Sequence, residues 1–221
     1  MSGLIEFSNV TKSFGEQSIL NNFNFEIKEG EFVAIVGPSG SGKSTILNII
    51  GLLEPFDSGE VLISGQKLSN IRNHQATLLR RNKINYLFQS FALIEDKTVK
   101  ENLLLSMHFV KSNTKEQKIL EVLKMLNLLE KKDALIYELS GGEKQRVALA
   151  RTLLKPGDIV LADEPTGALD PGLAKVAFQL IREINVKYGK TIIMVTHNME
   201  EAYQTDRIIE IKNNSINKEF R

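Results

Sequence analysis

Residues 37–45 read Gly37-Pro38-Ser39-Gly40-Ser41-Gly42-Lys43-Ser44-Thr45 and satisfy the pattern G-x-x-x-x-G-K-[ST]. The stretch before them, EFVAIVG from Glu31 to Gly37, is apolar and of strand length, as a buried strand should be. The stretch after them, STILNIIGLL from Ser44 to Leu53, has helical length and composition. A glycine-rich turn between such a strand and helix leaves backbone N–H groups free, and the helix N-terminus adds partial positive charge. The expected ligand is an anion. Lys43 can reach its outer phosphates, Ser44 can offer a hydroxyl to Mg²⁺, and Thr45 can add a second hydroxyl contact.

Outward from this turn, LIEFSNV and the alternating NFNFEI read as strands upstream, and GEVLIS from Gly59 to Ser64 reads as one downstream. From about residue 74 to 155 helical patterns dominate. Capping boxes are predicted at Thr98 with Glu101, Asn113 with Glu116 and Ser140 with Glu143. Ile119, Val122, Leu123 and Leu126 share one helical face. DIVLAD and TIIMVTH are then short strands, separated by a helix that opens with Asp170 as N-cap and Pro171 as its first residue. Strands alternating with helices predict a mostly parallel sheet covered on both faces.

Composition narrows the partners. The 221 residues suit one domain with an insertion or two small ones. Hydrophobic and charged shares of 42% and 25% are those of an ordinary folded chain. Lys plus Arg is 28 against 27 for Asp plus Glu, so no charge excess points to nucleic acid or anionic lipid. With no cysteine, a disulfide scaffold, a thiolate metal site and a thiol nucleophile are excluded, and the composition is compatible with a reducing cytosol. The longest apolar runs, such as Ile192 to Val195, fall far short of the ~20 residues a membrane span needs. Action at a membrane would require docking on an embedded partner.

IVLADE delivers Asp163 and Glu164 to the C-terminal edge of a strand, where ligands bind in open α/β sheets. Asp163 is the candidate for the Mg²⁺ shell, and Glu164 for orienting and partly deprotonating an attacking water. LSGGE at 139–143 is a second glycine-rich helix start, with Ser140 as N-cap; its spacing alone fits a phosphate grip or a plain capped helix equally well. Gln89 ends the apolar INYLF, and His197 ends TIIMVT at the same sheet edge as Asp163. His74 and His108 are given no role. Asn82-Lys83-Ile84-Asn85 lacks the final carboxylate of a guanine-reading N-K-x-D motif and precedes Gln89 instead of following a late strand, so the run is read as coincidental.

These pieces in this order resemble the ATP-binding subunit of ABC transporters over essentially the whole chain. The resemblance makes GPSGSGKST the Walker A motif, Gln89 the Q-loop residue, LSGGEKQR the signature, IVLADE the Walker B motif, Ala168-Leu169-Asp170 the D-loop and His197 the switch histidine. It implies an α/β fold: a P-loop NTPase (RecA-like) core from 1–89 and 156–221, an N-terminal antiparallel β subdomain, and an α-helical insert over 90–155.

It also implies the site. Glu164, His197, Gln89 and Lys43 are catalytic. Phe14 stacks on adenine, while residues 37–45, Glu143 and Asp170 contact nucleotide, and Ser44, Gln89 and Asp163 hold Mg²⁺. Ser140, Gly141 and Gly142 cap the ATP bound to a second copy, or a close homologue, packed head to tail. Departures from the commonest pattern are Glu143 for Gln, Phe14 for Tyr and Gly167 where Ser is frequent. Glu143, EPTGALD and FQSFALIEDKTVKENL are most similar to the lipoprotein-releasing and macrolide-efflux branch.

The implied protein hydrolyses MgATP and drives a separate membrane permease, in export or force transmission, from the cytoplasmic face. It inserts no segment of its own and binds no nucleic acid. Phe91, Leu93 and Ile94 are expected to line the permease groove. The alternatives are a non-transport ATPase of the same family that regulates cell-wall remodelling through a permease-like partner, and a nucleotide-gated regulatory module that seldom turns over; the presence of Glu164 argues against the second.

Overall fold

A computed structural model describes residues 3–68, 71–88 and 90–220. The chain opens with strands β1 (Ile5–Phe14), β2 (Gln17–Ile27) and β3 (Phe32–Val36), then helix α1 (Lys43–Ile50), β4 (Ser58–Ile63) and β5 (Gln66–Lys67). Next come α2 (His74–Asn82), β6 (Ile84–Leu87), α3 (Val99–Ser106), α4 (Lys115–Met125) and α5 (Gly141–Leu154). The last part holds β7 (Ile159–Asp163), α6 (Pro171–Tyr188), β8 (Thr191–Val195), α7 (Met199–Ala202), β9 (Arg207–Lys212) and β10 (Ser215–Phe220).

Two sheets result. The larger has the order β10-β9-β3-β8-β7-β6, parallel from β9 to β6, with β10 antiparallel on its edge. The central strands are apolar at nearly every position because both faces are covered. Ile159 and Leu161 of β7 point into the core shared with α1 and the smaller sheet. Val160 and Ala162 point into the core shared with α5 and α6. The smaller sheet, β2-β1-β4-β5, is antiparallel throughout. Its inner face carries Phe7, Phe23 and Phe25, with the Phe7 and Phe25 ring centroids 4.6 Å apart. Each side chain buried this fully contributes about 1.5–3 kcal/mol against exposure.

The predicted strand at Gly59–Ser64 exists, but β4 pairs antiparallel with β1, Ile63 opposite Ile5, and so belongs to the N-terminal layer. The α1 helix starts at Lys43, one residue before the predicted start. Strands β9 and β10 have no counterpart among the predicted elements; β9 completes the parallel sheet beside β3. Asn214 joins the sheets, its backbone carbonyl accepting from Asn21 N–H at 3.2 Å and its side chain donating to the Ser18 carbonyl at 2.7 Å.

Helices α3 to α5 enclose a separate buried cluster that includes Val99, Leu103, Ile119, Leu123, Ile136 and Val147. The Thr98–Glu101 and Ser140–Glu143 capping boxes form as predicted. The Asn113–Glu116 box does not form. Helix α4 begins after Thr114, at φ −105° and ψ 19°, outside the extended region from which an N-cap hydroxyl reaches back to the helix. The Thr114 and Ser112 hydroxyls bond each other at 2.8 Å, and Glu116 pairs with Lys100.

Candidate functional site

The turn after β3 is shaped by glycine where no other residue fits. Gly37 has φ 151°, and a Cβ there would lie 2.3 Å from the Ile211 carbonyl oxygen. Gly42 has φ 96°, and its Cβ would meet Ile19 Cγ2 at 3.0 Å. Gly42 is also the N-cap of α1, and no side chain caps that helix. Its first-turn N–H groups are therefore available to an outside acceptor. Gly40 faces open space, with no atom within 4 Å of where a Cβ would sit.

Lys43 is 6% exposed and donates to the carbonyls of Gly37 at 2.9 Å and Pro38 at 2.8 Å. Burial lowers its pKa, and the carboxylates of Glu164 and Asp163 push it back up. The ammonium thus waits at the mouth of its own loop. Ser44 Oγ donates to Asp163 Oδ1 at 3.3 Å. Burial raises the Asp163 pKa and the Glu164 charge adds to the rise, while the Ser44 bond and Lys43 oppose it.

Glu164 leaves the β7 line at φ 44°. Glu164 Oε1 lies 2.9 Å from His197 Nε2. Its backbone N–H donates to the Val195 carbonyl at 3.0 Å, so the ends of β7 and β8 stay in register. One cavity of about 400 Å³ brings together Ser39, Gly40, Gly42, Lys43, Ser44, Thr45, Glu164 and His197. Gln17 and Ile19 of β2 complete its wall, and neither carries a sequence signal.

Other predicted site residues lie elsewhere. Phe14 is half exposed at the β1–β2 hairpin, with Lys12 Nζ 4.7 Å from its ring centroid. Asp170 caps α6, accepting from the N–H groups of Gly172 and Leu173, each at 3.1 Å. Ser140 to Glu143 open α5, and none of them lines the 400 Å³ cavity. There Glu143 Oε2 accepts from Ser140 N–H at 2.8 Å and from the Ser140 hydroxyl at 2.9 Å. Gln89 lies outside the described residues. Gln145, which lies within the signature but was given no role of its own, donates to the Pro165 carbonyl at 2.8 Å and ties α5 to the turn after Glu164.

Of the expected groove residues, Phe91 and Leu93 are half-buried against the two cores flanking them, and Ile94 alone of the three is exposed. Phe91 and Ala92 both have positive φ, 63° and 48°, so the segment is a turn and not a regular element. The open groove lies nearby, about 450 Å³ between α2, β6, α3 and α5, with walls that include Tyr86, Phe88, Leu105 and Phe109.

The loop fits a polyphosphate: besides the free N–H groups, Ser41 Oγ is buried without a hydrogen-bond partner. The donor set also fits Mg²⁺. Among the described residues no cluster of three or more His, Cys, Asp or Glu could hold a metal alone. Magnesium is commonly held by one or two protein oxygens, with phosphates and water completing its shell, and Ser44 and Asp163 supply such oxygens.

A family model described as ABC transporter matches residues 20–167. The chain is 43% identical over 226 residues to the uncharacterized ABC transporter ATP-binding protein MJ0796 of Methanocaldococcus jannaschii, covering 98% of this chain and 96% of that protein. It is 36% identical over 218 residues to the lipoprotein-releasing system ATP-binding protein LolD of Bacteroides thetaiotaomicron, covering 98% and 100%. It is 40% identical over 215 residues to the macrolide export ATP-binding/permease protein MacB of Campylobacter jejuni, covering 96% of this chain but 33% of MacB. A solved dimeric structure of MJ0796, in a post-hydrolysis state bound to ADP and Pi, matches with a TM-score of 0.87 at 41% identity over 98% of each chain.

Proposed function

The chain belongs to the ABC transporter family, and from that premise we propose that it hydrolyses MgATP between two copies of itself and so drives a membrane permease. The observation that carries the two-copy reading is the separation of its glycine-rich helix starts. The Walker A cavity contains Glu164 and His197 but no residue of Ser140–Glu143. A second chain facing it supplies those residues, as the dimer of MJ0796 supports.

In this reading Lys43 exchanges the Gly37 and Pro38 carbonyls for outer phosphate oxygens, and the first-turn N–H groups of α1 hold the same phosphates. Phe14 offers its exposed ring to adenine. Asp163 and Ser44, with Gln89, hold Mg²⁺, which neutralises phosphate charge when bound. Glu164 accepts a hydrogen bond from the attacking water, and His197 holds the carboxylate in place. Asp170, next to the partner's loop, keeps α6 capped at the dimer face. The helical stretch 90–155, with its own buried cluster, moves as a unit against the core formed by 1–89 and 156–221 when nucleotide is bound or released.

Glu164→Gln should bind ATP and accumulate as the ATP-bound dimer, with turnover lowered roughly 10²–10⁴-fold. ATPase assays alongside size-exclusion chromatography measure both, and an unchanged rate removes Glu164 from its role.

No helix among the described residues is long and apolar enough to cross a membrane. In the proposed arrangement the chain docks on an embedded permease from the cytoplasmic face, where ATP is supplied, and the 450 Å³ groove is where the permease seats. The apolar wall of the groove is ringed by Arg80, Arg81, Arg151 and Lys155, and none of these forms an ion pair among the described residues. Burial and the charges of Arg151 and Lys190 bring Lys155 down to about 8. A short apolar segment bearing a carboxylate suits that lining. Phe109→Asp, at a residue 61% exposed, should abolish copurification of the permease while leaving the fold intact; retained copurification moves the contact elsewhere. Export or force transmission is the transport mode this reading adopts, in keeping with the lipoprotein-releasing and macrolide export systems among the relatives.

A further inference from the structure

Glu201 belongs to none of the motifs, yet it is 5% exposed in α7. Its Oε2 accepts from two threonine hydroxyls, Thr166 Oγ1 at 3.0 Å and Thr196 Oγ1 at 3.4 Å. Both are themselves buried, at 6% and 3% exposure. Thr166 follows Glu164 by two residues, and Thr196 immediately precedes His197. One carboxylate oxygen therefore bonds the turn that carries the proposed base and the turn that carries its histidine partner.

The bond between Glu164 N–H and the Val195 carbonyl fixes the strand ends, but residues 165–167 and 196–198 lie beyond the strands. On that side both turns face a cavity of about 820 Å³ that also takes in Glu164, Gly167 and His197. Each turn is also tied to another element, Gln145 donating to the Pro165 carbonyl at 2.8 Å and Thr196 N–H to the Ile35 carbonyl at 3.3 Å, but neither of those bonds links one turn to the other. The carboxylate is itself oriented, because Asn198 Oδ1 caps α7, accepting from the N–H groups of Glu200 at 3.0 Å and Glu201 at 3.4 Å. An apolar residue at 201 would leave two buried hydroxyls without this acceptor, and a carboxylate oxygen can take both donors at once.

We propose that Glu201 is a positioning residue: by clasping Thr166 to Thr196 it keeps Glu164 and His197 in contact, and it thereby sets the rate of hydrolysis without touching nucleotide. The proposal rests on Glu164 and His197 acting as described above. It concerns the step after binding, since the phosphate loop at 37–45 makes no bond to the clasp.

Steady-state ATPase kinetics on the full chain, with thermal melting as a check, test it. Glu201→Ala should lower kcat about tenfold or more while KM for ATP stays within about twofold. Glu201→Gln keeps a carbonyl acceptor and should recover to within about threefold of the parent. The pair Thr166→Val with Thr196→Val should reproduce the loss, and adding Glu201→Ala to that pair should cost little more. Parental kcat in Glu201→Ala, equal losses in the Gln and Ala variants, or KM rising in step with the fall in kcat would each overturn the clasp. If Glu201→Ala does not fold, the Gln variant and the threonine pair decide: parental kcat in the threonine pair overturns it. Glu164→Gln separates the two claims. Full turnover in that variant sinks the site assignment, whereas its loss beside an unaffected Glu201→Ala sinks the clasp alone.

Discussion

The two glycine-rich helix starts have similar sequences and different caps. At α1 the N-cap is Gly42 in a left-handed conformation, no side chain caps the helix, and a lysine waits beside the opening. At α5 the N-cap is Ser140 in an extended conformation, and its hydroxyl and N–H are both engaged by Glu143. The first start is left open to an anion from within its own chain. The second is partly satisfied by its own box, which engages the N–H groups of Ser140 and Glu143 and leaves those of Gly141 and Gly142 to an outside acceptor, and it lies outside the cavity that holds Lys43 and Glu164. An anion-binding helix start is thus a matter of what already occupies its N–H groups, and glycine content alone does not reveal it.

The largest expected effect strikes the open start. Lys43→Ala removes the cation that would move onto phosphate, and kcat/KM for ATP should fall by at least about 10²–10³-fold with the fold retained. Full activity in that variant would break the contrast at its root. The next strikes the second start. Gly141 is exposed, and a Cβ there meets nothing nearer than Leu169 Cδ2 at 4.0 Å, so Gly141→Asp should fold normally. It should bind ATP on its own loop as the parent does, yet fail to dimerise with a non-cleavable analogue and lose about 10²-fold in turnover. Nucleotide titration paired with light scattering checks both halves; loss of binding to the isolated chain would place the signature in the wrong site.

The smallest effect is a pH dependence. The Ser140 backbone N–H, and then its hydroxyl, hold the Glu143 carboxyl below the usual carboxylate range. A lowered folded value stabilises the protein above the unfolded pKa of ~4.3 and loses that contribution as pH falls through the folded value. The difference in Tm between the parent and Glu143→Gln should therefore be largest near neutrality and shrink below about pH 4. A difference that grows in acid would mean that the capping box does not stabilise the second start.

Much of the molecule was legible because the relevant signals are local. Apolar runs flanking residues 37–45 announced a buried strand and a helix, and IVLADE announced a second strand ending in carboxylates. The capping boxes at Thr98 and Ser140 were readable because a cap and a glutamate three positions on carry them. The Asn113 box misled, since an Asn and a Glu at the right spacing say nothing of the backbone angles at Thr114. Of the expected groove residues, Phe91 and Leu93 are half-buried and Ile94 is exposed, a difference that residue type alone does not announce. Strands β9 and β10 went unread because RIIEIK and SINKEF are short and mixed in polarity, and their strand state depends on pairing with β3 and with each other.

The amino-acid order determined which chemical groups are present and the local form of the turn that presents them. Gly37 and Gly42 must be glycine, Lys43 must follow them, and two carboxylates must end a buried strand. Tertiary packing decided which groups meet: that Glu164 meets His197 across adjacent strands, that Ser140 lies outside the cavity its motif resembles, and that a glutamate from α7 joins two threonines 30 positions apart. The reason is range. Backbone conformation and capping are set by neighbours within a turn or two, whereas a contact between distant segments exists only once the sheet has brought its strand ends to one edge.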